Sequence, residues 1–164
     1  MAAKETEIEF KRQIQEHELL IRKVCRMYAY NEADRQDLFQ EIVIHLWKSY
    51  PKFKGLSKLS TWMYRVAINT AVTGLRKQKD FITSYEPAAL PSDSADEKGQ
   101  EEEQLQQLMT AIEKLNEVER AIVMLYMEDR NYEEMEEILG INQGALRVKM
   151  SRIKDKLRQL TKNN

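Results

Sequence analysis

Near the end of the chain Leu146, Met150, Ile153, Leu157 and Leu160 recur at spacings of 4, 3, 4 and 3. That interval returns an α-helix to the same face, so the segment must be a helix with one buried apolar side. Arg147, Lys149, Arg152, Lys154, Lys156 and Arg158 fill the other positions and make the opposite side basic. Just upstream, Asn131-Tyr132-Glu133-Glu134 has the form of a capping box opening a short helix that ends at Gly140, and Asn142 suits the N-cap of the long helix. A short helix, a glycine turn and a basic second helix describe a helix-turn-helix, whose second helix enters the DNA major groove.

The same periodicity runs through most of the chain. Ile14, Ile21, Val24 and Tyr28 predict a first helix over 9–30; Leu38, Phe39, Ile42, Val43, Leu46 and Trp47 predict a second, from the Asn31 cap to Pro51. A third begins after Ser60 and runs to about 79, and two more carry Leu105 to Leu115 and, after Asn116, Val118 to Tyr126. Five Gly and three Pro in 164 residues are too few for the tight turns of an all-β fold. The expected fold is all-α: two small helical domains, 1–80 and 105–164, joined by a flexible acidic linker over 81–104, with the helix-turn-helix in the second domain. The linker holds Pro87, Pro91, Ser92, Ser94, Gly99 and Glu101 to Glu103, a composition that buries too little surface to offset ordering entropy. It reads either as solvated decoration or as a mimic of nucleic acid.

Charge is partitioned along the chain. The formal net of -1 sums +5 over 1–80, -8 over 81–119 and +2 over 120–164. Residues 42–79 contain no Asp or Glu, yet hold Lys48, Lys52, Lys54, Lys58, Arg65, Arg76, Lys77 and Lys79. Trp47, Tyr50, Phe53, Trp62 and Tyr64 are threaded through that stretch, and cations mixed with flat π-faces suit unpaired nucleic acid. Thr61, Arg65, Asn69 and Arg76 form a polar stripe on the third helix, while Met63, Val66, Ala67, Thr70 and Ala71 face the core. The loop with Lys52, Phe53, Lys54, Gly55 and Lys58 suits an extruded base; Trp47 and Trp62, at helical positions, read more readily as core. On the second helix Asp37, Gln40, Glu41 and Ile44 share a face with a small apolar anchor, the profile of a partner surface. On the last helix Gln143, Arg147 and Ser151 are placed to read bases, and Lys149, Arg152 and Lys154 to hold phosphates.

His17 and His45 have no partner at ligand spacing, and the basic stretch lacks paired carboxylates for a catalytic metal, so neither metal, cofactor nor catalysis is expected. Lone Cys25 cannot form an internal disulfide and reads as a core thiol of a reducing compartment. With no long apolar run and no signal-peptide character, the expected location is the cytoplasm, without membrane insertion.

Asp37-Leu38-Phe39-Gln40-Glu41-Ile42, then Phe53-Lys54-Gly55 and Ser60-Thr61-Trp62-Met63-Tyr64-Arg65-Val66-Ala67-Ile68-Asn69, resemble region two of bacterial sigma factors of the extracytoplasmic-function group. Residues 115–160, with Tyr132-Glu133-Glu134-Met135 and Glu137-Ile138-Leu139-Gly140-Ile141, resemble their region four. The resemblance implies a promoter-specificity subunit that is a monomer when free, whose partners are RNA polymerase core (β′ and β subunits) and promoter DNA. Asp37, Gln40, Glu41 and Ile44 would contact core. Lys52, Phe53, Lys54, Lys58, Thr61, Trp62, Arg65, Asn69 and Arg76 would hold the melted minus-ten strand. Gln143, Arg147, Lys149, Ser151, Arg152 and Lys154 would read the minus-thirty-five duplex. Many relatives are held by an anti-sigma factor, and nothing in the sequence identifies one. A stand-alone helix-turn-helix regulator is the rival reading, weakened because a sensor domain rarely needs an acid-free surface.

Two departures stand out. Glu136 sits where the group usually has a small Ala, so its carboxylate either turns to solvent or opens the helix angle. Ala145-Leu146-Arg147-Val148-Lys149 replaces the common Thr-Val-Lys-Ser-Arg, so promoter preference does not transfer from relatives.

Overall fold

The computed structural model describes residues 2–81 and 99–162. Eight α-helices follow one another: α1 (Ala2–Glu16), α2 (Glu18–Tyr28), α3 (Glu32–Ser49), α4 (Leu59–Phe81), α5 (Gln100–Glu113), α6 (Glu117–Met127), α7 (Tyr132–Leu139) and α8 (Gln143–Lys162). No strand occurs among the described residues. The fold is all-α, as the periodicity required.

The single first helix expected over 9–30 is instead two, broken at His17. Neither Gly nor Pro marks the break. The His17 ring Nδ1 lies 3.0 Å from the Gln13 carbonyl, which also accepts the His17 backbone N–H at 3.1 Å, so that backbone bond is kept across the break. α1 leans on the end of α3, where buried Phe10 meets Trp47 and Tyr50 with ring centroids 4.9 and 5.2 Å away.

Capping residues set most other boundaries. The Asn31 side chain accepts the Asp34 N–H at 2.8 Å and opens α3. Pro51 supplies no N–H, and the chain tightens into a 3₁₀ turn over Tyr50–Lys52. The reciprocal capping box forms at Asn116 and Glu119. At Asn131 the cap itself forms, to the Glu134 N–H at 2.8 Å, but the Glu134 carboxylate pairs with Arg130 at 3.0 Å. Gly140 ends α7 in the left-handed region (φ 72°), where it meets no Cβ penalty. Residues 82–98 of the acidic segment lie outside the described residues. Glu101, Glu102 and Glu103, assigned to the linker from composition, form the first turn of α5, where carboxylates complement the helix dipole.

α2, α3 and α4 enclose Ile21, Val24, Ile42, Leu46, Met63 and Ala67, each fully buried. α5 to α8 enclose Ile112, Leu115, Ile122, Leu125, Met135, Leu146 and Ile153. The two cores join into one apolar cluster, because α6 and α7 lie against α2 and α4.

Candidate functional site

On α3 the apolar stripe faces inward and leaves Asp37, Gln40, Glu41 and Ile44 exposed together. Ile44 is 50% exposed, and Trp47 on the same flank is 42% exposed although its periodicity pointed to the core. Two carboxylates, an amide and two apolar side chains therefore form one continuous face. His45, expected to stand alone, lies 2.8 Å from Thr70 Oγ1, whose hydroxyl donates to the Val66 carbonyl at 2.7 Å. With that proton committed, the ring Nδ1–H is the donor, and the bond ties α3 to α4.

The loop after α3 presents Lys52, Lys54 and Lys58 to solvent, and Leu56 at its tip is 93% exposed. Phe53 is half-buried, its ring 5.0 Å from that of Trp62. On α4, Arg65, Asn69 and Arg76 are exposed, whereas Thr61 and Trp62 are not. Thr61 retains 1% exposure and lines a pocket with Lys58, Asn131, Glu134 and Glu137, so α7 of the second domain covers it. The Arg65 guanidinium donates to the Glu137 carbonyl, from Nε at 3.1 Å and also from Nη2. The polar stripe is thus divided: Thr61 lies beneath α7, Arg65 is tied to α7, and Asn69 and Arg76 are open.

Four further contacts bind the two domains. Tyr28 Oη donates to the Glu117 carbonyl at 2.6 Å, and Lys23 pairs with Glu128 at 2.7 Å. Arg130 stands over the Tyr64 ring at 5.2 Å, and Arg120 over Tyr30 at 5.9 Å. Asp129, with φ 58°, turns the chain out of α6 so that Arg130 can reach α4. Burial raises the Tyr28 and Tyr64 phenols above their ordinary values and keeps them as proton donors. None of these contacts was foreseen from sequence, because each joins residues far apart in the chain.

α7 and α8 form the helix-turn-helix. Buried Leu146, Met150 and Ile153 hold α8 to its domain and turn Gly144, Val148, Ser151 and Arg152 outward. Arg147, Lys149 and Lys154 are exposed along the flanks, and Gln143 is half-buried at the start. Arg147 stacks over the Tyr132 ring at 5.0 Å, and the Lys154 ammonium lies 4.8 Å from the Tyr126 ring centroid. Lys156 is paired with Glu119 at 3.2 Å. Glu136 does not turn to solvent: it is half-buried, and its Oε2 accepts the Gln143 N–H at 2.9 Å. A carboxylate from α7 thereby caps the N-terminus of α8, beside the Asn142 cap on the Ala145 N–H at 2.8 Å.

The family description "Sigma-70 region 2" matches residues 13–81, and "Sigma-70, region 4" matches residues 105–157. The chain is 42% identical over 62 residues to the ECF RNA polymerase sigma factor SigG of Mycobacterium tuberculosis, which is 36% of this chain and 17% of SigG. It is 27% identical over 155 residues to the RNA polymerase sigma factor SigV of Bacillus subtilis, covering 92% of this chain and 90% of SigV. The chain belongs to the sigma-70 family, in its extracytoplasmic-function group. In sigma-70 terms α1's last residues to α4 form region 2, and α5 to α8 form region 4. The fold of this sigma-70 chain is that of the sigma factor RpoE of Bartonella quintana, solved with the anti-sigma factor NepR, at a TM-score of 0.72 and 20% identity over 94% of this chain and 97% of RpoE.

Proposed function

We propose that the chain is a promoter-specificity subunit that joins RNA polymerase core and directs initiation by reading and melting promoter DNA. The observation that carries this reading is the pairing, in one sigma-70 chain, of an open acidic-apolar face on α3 with a basic helix-turn-helix face on α8. Asp37, Gln40, Glu41 and Ile44 are the core contacts, addressed to the β′ subunit. The loop lysines, Phe53, Arg65, Asn69 and Arg76 hold the melted minus-ten strand, Thr61 joins them once α7 has moved, and Trp62 backs Phe53. Gln143, Arg147 and Ser151 address bases of the minus-thirty-five duplex, while Lys149, Arg152 and Lys154 address phosphates. The polymerase supplies the catalysis. The place of action is the cytoplasm; among the described residues no helix is long and apolar enough to cross a membrane. An anti-sigma protein is a further partner, by likeness to RpoE, which was solved with one.

The test is co-purification with core and promoter binding by mobility shift. The chain alone should bind promoter duplex weakly and the reconstituted holoenzyme tightly. Reversing charge at Asp37 together with Glu41 should abolish co-purification while circular dichroism stays unchanged. Tight operator binding by the chain alone would favour a free-standing regulator instead.

A further inference from the structure

Val148 has no role in a face built of cations. It lies on α8 opposite the buried stripe of Leu146, Met150 and Ile153, and is 50% exposed. Among the described residues of α8 it is the one large apolar side chain held in solvent. One turn earlier on the same line stands Gly144, where an added Cβ would meet only Asn142 Oδ1, at 3.5 Å, so bare backbone leads the helix inward. Exposing a β-branched residue on a helix brings no stability of its own. Its side chain is instead stiff at χ1, so little rotamer freedom remains to be lost on contact.

In the major groove a single base feature offers an apolar surface, the C5 methyl group of thymine. Over adenine, guanine or cytosine the same isopropyl group would strip water from donors and acceptors and return no hydrogen bond. We infer that Val148 reads the C5 methyl of one thymine, making the upstream element specific for thymine at the base step facing the second turn of α8. Arg147, held to one side by Tyr132, and Arg152 on the other flank bracket that step. The inference rests on α8 being the duplex reader.

The experiment uses holoenzyme reconstituted from this chain and polymerase core. A promoter library randomised over the upstream element yields the preferred sequence, and each thymine of that element, on either strand, is then replaced singly by deoxyuridine. Deoxyuridine keeps every hydrogen-bonding group and lacks only the methyl. One replacement should weaken binding about fourfold, the worth of one methyl group taken from water. That ratio should hold across salt concentrations, since a methyl contact releases no counterions. Val148→Ala and Val148→Ser should flatten the difference between thymine and deoxyuridine at that step, and leave Arg147's base pair unaffected. If every deoxyuridine binds like thymine, or Val148→Ala keeps the full methyl dependence, the inference is wrong while α8 remains a reader. If the library returns no upstream preference at all, α8 does not read duplex and the inference falls with it.

Discussion

Glu136 turns a departure from the family pattern into a structural element. A carboxylate accepting the first N–H of α8 complements the helix dipole and ties α7 to the start of α8. Glu136→Ala should therefore lower stability by about 1 kcal/mol, the usual worth of an N-cap side chain. Thermal melting would show it as a Tm several degrees lower; an unchanged Tm would mean that Asn142 caps the helix unaided. Arg147 is held ready by Tyr132, so truncating it tests readout rather than folding. Arg147→Ala should cost holoenzyme binding about 1 to 3 kcal/mol and relax preference at one base pair. A loss spread evenly over all sequences would make Arg147 a phosphate contact.

Helices were legible wherever a periodic stripe met a capping side chain, and Asn31, Asn116, Asn131 and Asn142 each cap where the sequence placed them. The break at His17 was not legible, because the apolar stripe continues across it unbroken and neither Gly nor Pro marks it. Cys25, read as a core thiol, is buried on α2. Burial pushes its pKa up from 9.0 to about 11, against the pull of Arg22 and Arg35. The unfolded chain therefore loses this proton first, and the phenols of Tyr28 and Tyr64 add to the effect. Stability should be intact below pH 9.0 and decline as pH climbs toward about 11, an expectation that calorimetric Tm values across that window would check. In the native state the thiol should also resist iodoacetamide, and react only as α2 opens.

At the scale of the molecule, the sequence indicated two exposed faces but not how α6 and α7 lie against α2 and α4. Thr61 belongs to a polar stripe by spacing and is buried all the same, because periodicity reports a helix's own core and not what another domain lays over it. That closure is held by modest forces. Lys23 and Glu128 are partly exposed, and such a pair is worth at most about 1 kcal/mol. Arg120 Nη1 and Arg130 Nε are buried with no hydrogen-bond acceptor among the described residues. Lys23→Glu should open the chain in low salt, seen as a larger radius of gyration by small-angle scattering, and Lys23→Glu with Glu128→Lys should close it again. Equal scattering from both variants would remove the pair from any role in closure.

The bond from Arg65 to Glu137 carries a thermodynamic obligation. In the strand-holding role proposed for it, Arg65 exchanges that carbonyl for a backbone phosphate, which links strand capture to the contact with the C-terminal half. Linkage is reciprocal. A ligand that parts the halves would raise the proposed affinity for single strands by the same factor as a bound strand raises the affinity for that ligand, and a ligand that clasps them would lower it.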